Sequence, residues 1–159
     1  MKRIEVFQQE EFEQAKNRES ALQKRERQVL VSALQGELAE NKNRIEAFVS
    51  IYNDMLQTLK AGDETPQYQQ AGDILQRHPS LSKAVFEANV GKFSLLDIKL
   101  AGKLSKFYIS LPKDQEYINI ERNVPIDTVI KLLEKTIKDA EDIMPQLQHY
   151  IDALQKAEV

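Results

Sequence analysis

The side chains best suited to metal chemistry are the two histidines, His78 and His149. His149 lies three residues before Asp152, and on a helix this spacing puts both side chains on one face, where they could contact a single ion. The chain contains no Glu-x-x-His, HxxxH or HExxH motif that would supply further ligands. A surface hydrogen bond between His149 and Asp152 is therefore the favoured interpretation, and we predict no cofactor and no metal.

Motifs for covalent catalysis and phosphate binding are equally scarce. The chain has no cysteine, no G-x-S-x-G motif and no Gly-rich phosphate loop. The segment LAGKLSK, residues 100–106, lacks the upstream glycine of such a loop and falls within an amphipathic pattern. The net charge is −3, whereas a protein that neutralises nucleic-acid phosphates normally presents a basic face. The composition thus favours a non-enzymatic protein that does not bind nucleic acid.

A helical framework must position whatever residues act in this chain. Apolar residues recur at alternating spacings of three and four after residue 30, which is the pattern of a helix with one buried seam. Only one position of this first seam is polar. Its members are Val31, Leu34, Leu38, Asn41, Ile45, Phe48, Tyr52, Met55 and Leu59. We expect this helix to end near Lys60, with Gly62 as a left-handed cap.

A second seam of the same length follows Pro125, a residue type favoured in the first helical turn. Its nine positions are all apolar: Ile126, Ile130, Leu133, Ile137, Ala140, Met144, Leu147, Ile151 and Leu154. Two apolar seams of equal length can bury each other, so we predict one long antiparallel pair of helices. A parallel pair, or pairing between two chains, remains compatible with the sequence.

Two shorter helices are predicted to complete the bundle, one in LSKAVFEANV (residues 81–90) and one in LLDIKLAGKLSKFYISL (residues 95–111). Ser94 and Asp97 have the spacing of a capping box at the start of the second of these. Residues 62–80 and the segment KDQEYINIERN read as connections, with one short helical turn at residues 73–77 as an option. The fold class is therefore all-α, an elongated bundle.

The first 28 residues differ from the rest. They carry seven basic residues and six glutamates with few apolar side chains, and neither proline nor glycine interrupts them. We predict a helical stalk, residues 1–28, that overhangs a bundle domain, residues 29–159; a disordered tail is the alternative. The stalk offers a surface for a protein partner or for self-association as a dimer.

The polar seam position, Asn41, and a proline inside the second seam, Pro145, suggest a device that fixes register. If the seams are antiparallel, Val31 lies opposite Leu154 and Asn41 lies opposite Met144. Pro145 cannot donate a hydrogen bond to the carbonyl of Glu141. We hypothesise that the Asn41 amide donates to this freed acceptor, directly or through water. In the competing interpretation, Asn41 faces solvent near a bundle end and Pro145 merely bends the helix.

The segment LVSALQGELAENKNRIEAF followed by LSKAVFEANVGKFSLLDIKLAGKLSKFYISL resembles a helical region of uncharacterised bacterial membrane-associated proteins. In these proteins a transmembrane helix leads through a charged helix into an L-x-x-EL-x-x-N segment. Leu34, Glu37, Leu38 and Asn41 match that segment, and residues 82–108 match the rest of the pattern. The resemblance implies an anchor upstream of residue 1, with the bundle at the cytoplasmic or periplasmic face of the inner membrane.

Taken together, the sequence predicts a helical interaction or scaffold module without enzymatic activity. Its contact with a membrane would depend on a segment outside this chain. The alternative function is a small-molecule sensor, in which aromatic side chains line a pocket between the short helices and the long pair.

Overall fold

The computed structural model describes residues 2–62, 73–112, 114–121 and 123–157. These residues form a predominantly helical protein with one small two-stranded sheet, so the predicted all-α class holds in broad terms. The elements are, in chain order, α1 (Lys2–Lys60), β1 (Asp73–Gln76), α2 (Ala84–Asn89), a 3₁₀ helix (Val90–Leu95), α3 (Ile98–Ser110), β2 (Tyr117–Ile120), α4 (Ile126–Glu141) and α5 (Met144–Ala157).

The first helix is a single element of 59 residues, roughly 88 Å long at 1.5 Å rise per residue. It ends at the predicted place, because Gly62 adopts a left-handed φ of +73° and the Ala61 N–H donates to the Gln57 carbonyl at 2.9 Å. Every position of the predicted first seam is buried except Met55, which is half-buried. The repeat of three and four therefore identified the face of α1 that packs against the core.

The C-terminal seam does not form one helix, as the sequence pattern predicted, but two. α4 ends at Glu141, Asp142 and Ile143 form a turn, and α5 begins at Met144. Pro145 is thus the second residue of α5, where its missing N–H removes no intrahelical hydrogen bond. The apolar spacing continues across the turn and hides the break from a periodicity analysis.

Both C-terminal helices pack along α1. Gln35 donates to the carbonyl of Ile151 at 3.3 Å, Lys42 to the side-chain oxygen of Gln148 at 2.9 Å, and Lys60 forms a 3.3 Å ion pair with Glu134. The predicted antiparallel register would also set Leu59, near the end of α1, opposite Ile126, the first residue of α4. The register does not hold there, because Ile126 is exposed. The turn between α4 and α5 accounts for the difference, because it interrupts the constant rise that the register assumed.

The connections contain the small sheet. β1 and β2 pair antiparallel, with Asp73 opposite Ile120, in segments that the sequence analysis treated as a connection and an optional helical turn. The hydroxyl of Tyr52 on α1 donates to the Gln76 carbonyl at 2.7 Å and holds the sheet against α1. The predicted connection over residues 63–72 lies outside the described residues.

The short helices match their predicted positions closely. Asp97, not Ser94 of the predicted capping box, is the N-cap of α3: it accepts hydrogen bonds from the backbone N–H groups of Lys99 and Leu100 at 3.1 and 3.2 Å. The sequence also offers Ser80 as an N-cap for the first short helix, since serine is a common capping residue. Ser80 lies too early for this role, because α2 begins at Ala84. The N-terminus of α2 is satisfied from elsewhere in the molecule, and that contact is part of the candidate site.

Candidate functional site

The structure holds two candidate sites: a buried polar cluster between α1 and the α2 region, and the exposed N-terminal half of α1. Asn41 belongs to the first. Its side chain is fully buried, its amide donates to the Ser82 carbonyl at 2.9 Å, and its oxygen accepts from the Ser82 N–H at 2.7 Å. The hydrogen-bond partner is therefore the backbone of Ser82, not the carbonyl freed by Pro145, and our hypothesis named the wrong partner.

Glu37 lies one helical turn before Asn41 and is 4% exposed. Its carboxylate accepts from the Ser82 hydroxyl at 2.9 Å and from the backbone N–H groups of Val85 and Phe86 at 2.8 and 3.2 Å. The last two are N–H groups of the first turn of α2, which have no partner within the helix. A glutamate on another helix thus replaces the side-chain cap that α2 lacks.

Tyr108 of α3 completes the cluster. It is fully buried, and within the part of the chain that the structure describes its hydroxyl oxygen has no hydrogen-bond partner. Burial raises the pKa of this hydroxyl well above its ordinary value, and the negative charge on Glu37 raises the pKa further. Tyr108 therefore stays protonated through the neutral range and does not supply a base.

Aromatic rings fill the space beside this cluster, where the sequence suggested a ligand pocket. The ring of Phe86 stacks on that of Tyr108 at a centroid distance of 4.5 Å, and Phe93 meets Phe86 edge-on at 5.4 Å. On the other side, Phe107 contacts Tyr150 at 5.0 Å. The packed rings and the satisfied carboxylate of Glu37 join α1, α2 and α3 into one body, so the cluster acts as a structural anchor.

The remaining residues singled out in the sequence lie apart from the cluster. Glu141 and Pro145 are both exposed, at the end of α4 and the start of α5. Asp152 accepts a hydrogen bond from Gln148 at 2.9 Å, and the His149 ring lies against Tyr150. No group of three or more His, Asp or Glu side chains within the described ranges is arranged to hold a metal ion.

The second candidate site is the overhang, which we define as residues 3–29 of α1. Every residue of the overhang is exposed, and burial along α1 begins at Leu30. At 1.5 Å rise per residue the overhang is roughly 40 Å long. Within the described residues, no helix combines the length and the apolar character needed to cross a membrane. The overhang is therefore a polar helix that extends beyond the core.

One side of the overhang carries four apolar residues, and the charged Glu11 lies among them on the same side. Ala15, Leu22 and Val29 follow each other at intervals of seven, and Ile4 falls on the same side because the eleven residues from Ile4 to Ala15 make slightly more than three full turns. We call these four residues the stripe. Ile4, Leu22 and Val29 are 63, 55 and 65% exposed, which leaves large apolar side chains in contact with water. Spacing of this kind is typical of a helix that packs against another helix.

Charged residues border the stripe in an ordered way. At 3.6 residues per turn, Arg18 and Arg25 lie on one flank of the stripe, while Glu19 and Glu26 lie on the other. All four are exposed. The overhang thus presents a positive edge and a negative edge on either side of an apolar line, an arrangement that charge counting alone does not reveal.

The back of the overhang faces the body. An open groove there is bordered by Lys24 and Arg27 of α1 and by Ser94 and Leu95 of the 3₁₀ helix. A second open groove, about 470 Å³ and largely apolar, lies beside α3 between Phe93 and Ser105. Both grooves are open to solvent and neither contains the buried polar groups that orient a bound small molecule.

Neither protein-family models, nor curated proteins, nor solved structures match the chain.

Proposed function

We propose that this protein is a non-enzymatic helical scaffold that associates with a second copy of itself through the overhang. The observation that carries the proposal is the stripe: Ile4, Leu22 and Val29 are large apolar side chains on one side of the helix, and no described residue buries them. Exposed apolar surface that repeats with the helical period is typical of an interaction surface.

The physical chemistry of an isolated helix supports a partner for the overhang. Most of the stability of a helix in a protein comes from packing one face against a neighbour. Burial of a valine, leucine or isoleucine side chain contributes about 1.5–3 kcal/mol when it is complete. Leu22, Val29 and Ile4 receive little of this stabilisation in a single copy. A second helix laid along the stripe would supply it to both chains.

The overhang positions the body, which we define as the described residues from Leu30 onwards. In this proposal it is an elongated antiparallel bundle of α1 with α4 and α5, closed by the two short helices. The contacts of Gln35 with Ile151 and of Lys60 with Glu134 support the antiparallel direction, because later residues of α1 meet earlier residues of the C-terminal helices. The anchor of Glu37 and Asn41 keeps α2 and α3 attached to the same rod.

The overhang is also the stalk of a membrane-tethered bacterial protein in this proposal. The resemblance of residues 34–41 and 82–108 to membrane-associated proteins supports this part, together with the polar character of the overhang. The natural gene sequence upstream of residue 1 tests it: a stretch of about 20 apolar residues is expected there. A polar upstream sequence would remove the tether and leave the scaffold role unchanged.

Sedimentation velocity over a range of concentrations tests self-association. The unmodified chain is expected to form a reversible dimer, and Leu22→Glu is expected to shift it to monomer, because the substitution places a charge in the middle of the stripe. Val6→Glu is the matched control. Val6 is 54% exposed on the back of the same helix, so the same type of change there should leave the dimer intact.

A chain that stays monomeric at every concentration would contradict the proposal. Equal loss of dimer in Leu22→Glu and Val6→Glu would contradict the role of the stripe. Circular dichroism at 222 nm should accompany both variants, because retention of the helical signal of the body separates loss of association from loss of folding.

A further inference from the structure

We propose that the two overhangs pair in parallel and in register, with each Leu22 facing Leu22 of the second copy. This inference rests on the proposed function and adds the direction and alignment of the contact. It follows from the two charged edges of the stripe rather than from the apolar residues, which would permit either direction.

Symmetry decides which edges meet. When two helices face each other in parallel, the left edge of one lies against the right edge of the other. When they run antiparallel, each edge lies against the same edge of its partner. The positive edge of the overhang holds Arg18 and Arg25 and the negative edge holds Glu19 and Glu26. Parallel pairing therefore joins opposite charges, whereas antiparallel pairing joins arginine to arginine and glutamate to glutamate.

Alignment in register sets the individual partners. Arg18 of one chain lies beside Glu19 of the second copy, and Arg25 lies beside Glu26, so Glu19 and Glu26 each have an arginine across the interface. These contacts occur twice in the symmetric pair, and they keep Glu19 and Glu26 of the two copies from meeting without a counter-charge.

The body leaves room for this arrangement. The 3₁₀ helix approaches the overhang near Lys24 and Arg27, on the side of α1 away from the stripe. The stripe side continues past Val29 as small residues, including Ala33 and Gly36, and a methyl group added at Gly36 would meet no atom within 4 Å. Residues 33 and 36 therefore present no bulky side chain to a parallel helix that continues past residue 30.

Cysteine crosslinking tests the direction of pairing, since the natural chain contains no cysteine. Gln8 lies on the stripe side near the start of the overhang. Gln8→Cys is expected to form a disulfide-linked dimer under mild oxidation, because parallel alignment brings the two introduced thiols together. Glu13→Cys, on the back of the same helix, is the matched control and should remain monomeric on a non-reducing gel.

An antiparallel pair centred on Leu22 gives a different result. Residue 8 of one chain would then lie level with residue 36 of the other, since each pair of facing positions sums to 44. A mixture of Gln8→Cys and Gly36→Cys chains would crosslink to each other, while Gln8→Cys alone would not. That pattern in a chain that dimerises would overturn the parallel arrangement and leave the proposed function standing.

Charge substitution provides a second, independent arm. The double substitution Arg18→Glu with Arg25→Glu makes both edges of the stripe negative. Parallel pairing is then lost, because a negative edge meets a negative edge on both sides. Antiparallel pairing would change little, because the contact between two positive edges becomes a contact between two negative edges. Lys24→Glu with Arg27→Glu changes the net charge equally on the back of the helix and should preserve the dimer. Equal dimerisation of both double variants by sedimentation would overturn the inference; a monomeric unmodified chain would instead overturn the proposed function.

Discussion

Tyr108 is the residue whose environment departs most from that of an ordinary surface side chain. Its hydroxyl is buried and makes no hydrogen bond of full geometric quality among the described residues, although the carboxylate of Glu37 lies close enough to raise its pKa by a weaker contact of this kind. An unpaired buried hydroxyl costs about 1–3 kcal/mol of stability on the scale of protein mutational data. The ring itself stacks on Phe86, so the position requires the aromatic surface more than the oxygen.

We therefore expect Tyr108→Phe to leave the free energy of unfolding at pH 7 unchanged or higher. Tyr52→Phe is the matched comparison: it removes a hydroxyl that donates to the Gln76 carbonyl at 2.7 Å, so it should lower stability by about 0.5–1.5 kcal/mol. Urea unfolding followed by circular dichroism measures both. A clear loss of stability in Tyr108→Phe would show that the hydroxyl makes a favourable contact.

The same residue predicts a dependence on alkaline pH. Burial raises the pKa of Tyr108 in the folded protein, and burial also raises the pKa of Tyr52, whereas unfolded tyrosine titrates near a pKa of about 10. Stability therefore does not depend on the ionisation of these two tyrosines below about pH 10, and it decreases as pH rises above this value, since the unfolded chain releases protons that the folded chain retains. Stability should fall less steeply above about pH 10 in Tyr108→Phe than in the unmodified chain.

Residue-level prediction from the sequence found Asn41 and missed its partner. The single polar position in an apolar seam was conspicuous, but Ser82 lies 41 residues away and contributes mainly backbone atoms, which carry no signature in the sequence. Glu37 was missed as a cap because an acidic residue inside a helix ordinarily faces solvent. Its place one turn before Asn41, beside the buried seam, was the available clue.

At the scale of elements, the turn between α4 and α5 explains why Pro145 is tolerated. A proline in a helix interior costs about 3 kcal/mol or more, but in the first turn it removes no hydrogen bond and fixes a backbone angle that the helix needs. The sequence analysis placed Pro145 inside one long helix because Ala140, Met144 and Leu147 keep the apolar spacing through the turn.

The substitution Pro145→Ala distinguishes a proline in the first turn of α5 from a proline inside one long helix, because the free energy of unfolding should change in opposite directions. In the first turn, replacement of proline should lower the free energy of unfolding by about 0.4–1 kcal/mol, because the unfolded chain gains conformational freedom. Chemical denaturation gives the value, with the neighbouring exposed Gln146→Ala as a control expected to change little. A gain near 3 kcal/mol would instead place the proline in a strained helix interior.

Prediction of elements succeeded for α1, merged α4 and α5 into one helix, and failed for the strands. The seam of α1 spans many turns, so its period is unambiguous, and Gly62 and Asp97 mark helix ends through local chemistry. β1 and β2 have four residues each, which is too short for alternation to register. Their pairing also joins segments more than 40 residues apart, and it depends on the sheet being held by Tyr52.

For the whole molecule, the described structure divides into a buried body and an exposed overhang. The body contains one apolar core that extends from Leu30 through Leu154, while the overhang contributes no buried residue to it. Such a division predicts two levels of local stability in one continuous helix, since local opening is easiest where buried contacts are few.

Hydrogen–deuterium exchange should resolve these two levels along α1. Amides of residues 34–59 are expected to be protected at all protein concentrations, because this half packs against α4 and α5. Amides of residues 5–28 should gain protection only as concentration rises and the second copy binds. Protection of the overhang that is independent of concentration would mean that the helix is stabilised within one chain.

The length of α1 has a mechanical consequence. The tip of the overhang lies roughly 40 Å from the first buried turn at Leu30, whereas the core is only a few helices wide. A tilt of about 10° at that turn displaces the tip by about 7 Å, more than one helical pitch. The helix therefore has the geometry of a lever arm: a rearrangement too small to disturb the core would move the tip by more than one helical pitch.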